Sequence, residues 1–261
     1  MLELQKAQFP SIAHLLSGIR CDMAFVYSIL ENKQHGRILV DDLAAPRSAI
    51  FWHYCGFSFI SGAVDNHAFN RDLYQLLHGV YEQKQQRFFL FVNDTNWNSR
   101  IIQLINGSPS IKILERLQFR FNREIFHNCN IALPTGYSLK EIGKTIFETI
   151  EGRLVPSFSW HSYEAFSSCG KGYCLLDGEN IACNAFATAI GSDTIDIAVE
   201  TNVQYQQKGL AVPTAAAMIQ YCLRSGYVPN WGCDSTNIGS LHTAQSLGFE
   251  IDGSHPIYAK A

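Results

Sequence analysis

The chain has 261 residues, 47% hydrophobic and 16% charged, with a formal net charge of −3. That length suits two domains, and the apolar share is enough for sizeable cores. No basic block stands out, which argues against nucleic acid or an anionic membrane surface as the main partner.

The first residues, MLELQKAQFPSIAHLLSGIR, lack a basic start followed by an apolar run, so no signal peptide is expected. No window approaches about 18 uninterrupted apolar residues, so no membrane span is expected and a cytoplasmic location follows. The cysteines at 21, 55, 129, 169, 174, 183, 222 and 233 form no C-x-x-C pair and mostly sit in apolar segments. They read as buried, reduced thiols rather than disulfides or zinc ligands. His53, His67, His78, His127 and His161 show no metal-ligand spacing, so no metal is expected.

In chain order, Ser11 to Asn32 has helical character, and GRILVDD (Gly36 to Asp42) reads as a strand. Ser48 to Gly62 is aromatic and β-rich, one or two strands broken by Gly56. Its stretch from Phe51 to Phe59 reads as core. Asn66 to Gln83 places Phe69, Leu73, Leu76, Leu77 and Val80 at helical spacing. Arg87 to Asp94 suits a buried strand and Asn96 to Ile105 a helix. Ser108-Pro109-Ser110 breaks that helix, and the domain boundary is expected in Ser108 to Glu124.

The second half reads more plainly. Asn130 to Leu139 is expected as a strand and Leu139 to Glu151 as a helix. Gly172 to Asp177 is a strand, with a turn at Asp177-Gly178. Ile181 to Gly191 and Thr194 to Thr201 follow as strands. In the latter Ile195, Ile197 and Val199 face one way and Asp196, Ala198 and Glu200 the other. Three strands with short polar turns make an antiparallel meander. A helix then starts near Gly209, a short strand lies near Val228 to Cys233, a helix spans about Thr236 to Leu247, and Phe249 onward is a final strand.

The strand-to-helix crossing carries chemistry. The first turn of a helix leaves about four N–H groups unpartnered at its positive end, where phosphate binds well. Gly209 lets a ligand approach the backbone, and Lys208 adds a charge. Pro213 removes one donor. Neither a P-loop nor a G-x-G-x-x-G motif is present.

QQKGLA (Gln206 to Ala211) matches the [RQ]-x-x-G-x-[GA] pyrophosphate loop of the GNAT superfamily of N-acetyltransferases. NIGSLHTAQSLGF resembles the later N-x-x-[AS]…GF motif, with Asn237 eleven positions before Gly248. The resemblance covers about Ile131 to Tyr258. Within the superfamily the chain is similar to the two-domain bacterial branch that includes zwittermicin A resistance proteins.

The resemblance implies an α/β (α+β) protein. Residues 121–261 would form a GNAT fold with a mixed, mostly antiparallel central sheet flanked by helices. Residues 1–120 would form a smaller α/β domain, compatible with a degenerate copy of that fold. It also implies an acyltransferase taking acetyl-CoA as cosubstrate. Its pyrophosphate would lie on N–H groups of Gln207, Lys208, Gly209, Leu210 and Ala211 after Gln206. Its pantetheine arm would bond main-chain groups near Val199 and Thr201, with Asn237 touching that arm or capping a helix. An amine of a small molecule or peptide would attack directly. Glu200 and Asp196 are the base candidates. The family's tyrosine acid falls on Ala244, so Ser240, His242 or Tyr258 would have to substitute. The alternative is a module that binds acyl-CoA without turnover. A homodimer stays open.

Overall fold

A computed structural model describes residues 1–19, 23–82, 87–92, 94–106, 108–129 and 131–260. Cys21 lies outside the described residues, as do Gln83, Asn93 and Asn130 at the margins of elements read from the sequence. After β1 (Leu2–Glu3) and a stretch of 3-10 turns (Lys6–Leu16) come α1 (Ala24–Leu30), β2 (Gly36–Val40), β3 (Ser48–His53) and β4 (Phe57–Gly62). Then follow α2 (His67–Glu82), β5 (Phe89–Phe91), α3 (Thr95–Ile105), β6 (Ile111–Phe121) and α4 (Arg123–Asn128). The next elements are β7 (Tyr137–Glu141), α5 (Lys144–Thr149), α6 (Tyr163–Cys169), β8 (Gly172–Asp177), β9 (Asn180–Gly191) and β10 (Thr194–Thr201). The chain closes with α7 (Ala211–Arg224), β11 (Val228–Asn230), β12 (Gly232–Asp234), α8 (Ile238–Ser246) and β13 (Phe249–Lys260).

These elements form two compact units. One comprises Met1–Arg116 with the segment from Ser254 onward, the other Leu117–Gly253. The division falls inside β6 and inside β13, so each of those strands serves both units.

In the first unit the strand order is β1-β2-β3-β4-β5-β13. Strands β2, β3 and β4 are an antiparallel meander, whereas β5 pairs with β4 in parallel, Phe57 opposite Phe89. Helix α2 makes that crossover, as a parallel connection requires. The aromatic run folds as a hairpin, with Phe51 and Phe59 buried side by side, ring centroids 6.4 Å apart. Gly56 takes a φ of +95° where an added Cβ would strike the Arg87 carbonyl, so glycine is required there.

The second unit is built on a five-stranded sheet, order β11-β10-β9-β8-β7. Neighbours are antiparallel except β10 and β11. Ser192 and Asp193, at φ of 49° and 60°, make the tight two-residue turn from β9 to β10. Helix α7 buries Ala215, Ala216, Met218, Ile219 and Cys222. Its small residues let the helix lie close to the sheet, and the apolar face drives the packing.

Several local expectations need correction. The strand expected at Asn130–Leu139 is β7, held extended by pairing with β8, Leu139 opposite Leu175. The following helix shrinks to Lys144–Thr149 because Gly143 stays extended as its N-cap. The single strand expected near Val228–Cys233 is two, β11 and β12, which join different sheets on either side of buried Trp231. Helices α4 and α6 have no counterpart in the sequence reading. Asn122 and Ser162 cap them through their side-chain oxygens.

Candidate active site

The main-chain directions of β10 follow from its partners. The Thr188 hydroxyl donates to the Asp196 carbonyl at 2.9 Å, and the Asn202 N–H donates to the Ala182 carbonyl at 3.0 Å. On the other side the Val228 N–H donates to the Asp193 carbonyl at 2.8 Å. Even-numbered residues of β10 therefore turn their N–H and C=O groups to β9, odd-numbered ones to β11. Strand β11 pairs only with Thr194 to Asp196. Beyond it, the Ile197 carbonyl and the main-chain groups of Val199 and Thr201 face an edge with no strand beside it among the described residues. Gln206 reaches back to that edge, its Nε2 lying 3.5 Å from the Thr201 carbonyl.

The parting of β10 and β11 is pinned at its apex. Ala189 faces Asp196 and Ala187 faces Ile197, so Thr188 of β9 is an unmatched bulge residue. The buried Asp196 carboxylate accepts from the Thr188 hydroxyl at 3.0 Å and from the Asn230 amide at 3.1 Å. It thus ties the bulge to the last residue pair of β11.

Just past the open edge, α7 begins without a side-chain cap on Leu210. Its first internal bond runs from the Thr214 N–H to the Leu210 carbonyl, 3.4 Å. The N–H groups of Ala211 and Val212 accordingly have no partner within the helix, and Pro213 has no N–H to offer. Gln206, Gln207, Lys208 and Gly209 are exposed. Gln207 and Gly209 take φ of 61° and 72°. A Cβ on Gly209 would meet nothing within 4 Å, so the space before it is open. The Lys208 ammonium stands 4.8 Å from the Tyr205 ring centroid, and the Tyr205 hydroxyl donates to Asp177 at 3.2 Å. Bare amides, a helix dipole and one ammonium make an anion-binding corner.

The acid–base candidates other than His242 are all engaged. Glu200 accepts from two successive main-chain N–H groups, Arg153 at 3.2 Å on Oε1 and Leu154 on Oε2. Ser240 accepts the Trp231 indole N–H at 3.0 Å. Asn237 caps α8, its Oδ1 taking the Ser240 N–H at 3.1 Å. His242 is exposed on α8, and Ala244 is fully buried in the core. Tyr258 is buried in the first unit, its hydroxyl bonded to Asn98, and burial holds its phenol above the ordinary range.

No thiolate is at hand near β10. Burial pushes the Cys174 and Cys222 thiols up to about 12 and raises that of Cys183. Cys183 also accepts the Thr201 hydroxyl at 3.3 Å. Among the described residues no disulfide forms and no three His, Cys, Asp or Glu residues lie close enough to hold a metal ion. None of the described helices is long and apolar enough to cross a membrane. Thr188, Asn230 and the Gly152–Leu154 turn went unnoticed in the sequence. Their partners lie 8, 34 and 46–48 residues away, and no local signal marks such pairings.

Comparison with known proteins bears on the family and the fold. An uncharacterized N-acetyltransferase of Bacillus subtilis (strain 168), YdfB, is 28% identical over 98% of this chain and 97% of its own. The crystal structure of a GCN5-related N-acetyltransferase-like protein from Streptococcus suis 89/1591 superposes with a TM-score of 0.78 at 25% identity, covering 98% of this chain and 99% of that one. A tandem GNAT protein from the clavulanic acid biosynthesis pathway shares the fold, with a TM-score of 0.65 at 12% identity over 100% of this chain and 97% of that one. The family model for GNAT acetyltransferases matches residues 13–258, and the chain belongs to the GNAT acetyltransferase family.

Proposed function

We propose that the chain moves an acetyl group from acetyl-CoA to a primary amine of a small molecule or peptide by direct attack. The observation that carries this reading is the bare outer edge of β10 running straight into the uncapped start of α7. Main-chain groups of Val199 and Thr201 would hold the pantetheine arm as an added strand does. Gln206, Gln207, Lys208, Gly209, Leu210 and Ala211 would hold the diphosphate, and Asn237 has an amide NH2 left to donate. These residues fit the ligand because the amides lack helical partners and the space at Gly209 is open.

Acetyl-CoA would supply an activated acetyl group on a thiol, a class far more acidic than water and so able to leave as thiolate without a dedicated acid. A main-chain N–H on the Val199 edge polarises a carbonyl laid against it. Glu200, Asp196 and Ser240 already accept structural hydrogen bonds, so the amine sheds its proton to solvent before it attacks. The buried Ala244, at the place of a tyrosine acid, favours one other reading, an acyl-CoA sensor without turnover.

The narrower likeness to the zwittermicin A resistance branch belongs to the same proposal, as does the first unit as a degenerate copy. That unit repeats the order of meander, helix and parallel strand. There, however, Asn66 caps the crossover helix by accepting the Phe69 N–H at 3.1 Å. One donor site per chain follows.

Thermal melting with and without acetyl-CoA, together with thiol release across a panel of amines, tests the proposal. A raised melting temperature, one equivalent bound and thiol release are expected. Binding without release on any amine selects the sensor, and no binding refutes both readings.

A further inference from the structure

We propose that Glu200 is a positioning residue, the latch of a strap that walls the acceptor side of the open edge; this rests on the donor site proposed above. The strap is residues 152–160. At one end both Glu200 oxygens accept main-chain N–H groups, those of Arg153 and Leu154. At the other end the buried Trp160 indole donates to the Ala187 carbonyl at 2.7 Å. The strap is therefore tied to β10 and to β9, across one face of the sheet. Gly152 makes the first tie feasible. It takes a φ of +152°, and a Cβ there would lie 3.0 Å from Glu200 Oε2 and 3.1 Å from Val155, so any other side chain would press on the latch.

The two faces of β10 divide the labour. Val199 packs with Leu175, Cys183 and Leu210, so its side chain lies on the face where α7 begins. Glu200, the next residue, points to the opposite face, where it meets the strap. Between them runs the bare edge of Val199 and Thr201. A donor seated on the α7 side leaves the strap side for the incoming amine. A carboxylate bonded to two consecutive amides is held by charge-assisted bonds, which fix geometry. Such bonds also draw on the lone pairs a general base would use.

Amide hydrogen exchange on the full chain tests the latch without a known acceptor. In Glu200→Ala, the Arg153 and Leu154 amides are expected to exchange about 10- to 100-fold faster, the loss of bonds to a charged acceptor. In Glu200→Gln, one oxygen remains and the effect is intermediate. The melting shift caused by acetyl-CoA is unchanged in both variants. With any amine accepted from the panel, Glu200→Gln raises KM more than it lowers kcat and leaves the shape of the pH profile intact. Unchanged exchange in Glu200→Ala overturns the latch. So does a Glu200→Gln enzyme that loses the acidic limb of its pH profile and about 100-fold in kcat at constant KM, the signature of a base. Loss of the acetyl-CoA shift in wild type would instead sink the donor site, leaving the exchange result to stand by itself.

Discussion

Helix α7 has a glycine beyond each end, and the pair separates ligand effects from backbone effects. Gly209 has a φ of 72° and Gly226 a φ of 78°, and a Cβ at either would meet nothing within 4 Å. Aspartate at either position incurs left-handed strain of about 1 kcal/mol. At Gly209 the helix dipole returns about 0.5 kcal/mol, and at Gly226 it removes a similar amount. Without ligand, Gly209→Asp should therefore lose about 0.5 kcal/mol and Gly226→Asp about 1.5 kcal/mol, or roughly 1–2 °C and 3–6 °C in Tm. Acetyl-CoA at about 100 times its Kd adds about 2.7 kcal/mol to wild type. Two like charges about 4 Å apart near a surface repel by about 4 kcal/mol before screening. A 100-fold weaker Kd is thus a modest expectation for Gly209→Asp, and it leaves only about 0.4 kcal/mol of ligand stabilisation. Differential scanning fluorimetry with a ligand titration reads both quantities. The reasoning fails if Gly209→Asp keeps the full ligand shift, or if Gly226→Asp loses it.

Three other outcomes are expected. Asp196→Ala removes a carboxylate acceptor from the Asn230 amide and leaves the Thr188 hydroxyl only its bond to the residue 196 carbonyl, and should lower unfolding stability by about 1–2 kcal/mol in urea; a loss under about 0.5 kcal/mol would show that the apex clamp is idle. If the acceptor sheds its proton to solvent, log(kcat/KM) should rise with unit slope up to the amine's own pKa; a plateau near neutrality would reveal a protein base. His53 is buried, and burial, aided by His35, lowers its pKa to about 3. The unfolded chain then binds a proton that the folded chain refuses, so stability is full above pH ~6.5 and falls by about 1.4 kcal/mol per unit towards pH ~3. Acid denaturation of His53→Asn should lack this component, and identical pH profiles would contradict the assignment.

The legible parts of the molecule were those written in local chemistry. Strands β8, β9 and β10 show alternation and turn residues, and Thr194–Thr201 has the ends read from its sequence. The Ala-rich helix announces itself by propensity, although it starts at Ala211 rather than Gly209. What escaped depends on distant partners. Val228 to Cys233 reads as one strand because nothing local reveals that Trp231 sits between strands of two sheets. Glu200 and Asp196 look alike on an alternating strand. Their occupations differ because the bulge at Thr188 brings a hydroxyl to one, while the turn after α5 brings two amides to the other. The open edge itself is a register effect, since it exists only because β11 stops at Asn230.

The sharing of β6 and β13 has a bearing on synthesis. Strand β5 pairs with Ile257, Tyr258 and Ala259, which follow it in the chain by 166 to 170 residues. The amino-terminal unit thus leaves the exit tunnel with one flank of its sheet unmatched, and it completes its pairing only after residues 92–256 have been translated. Fragments cut between the units would expose that flank, which makes it a site for chaperone capture and for aggregation.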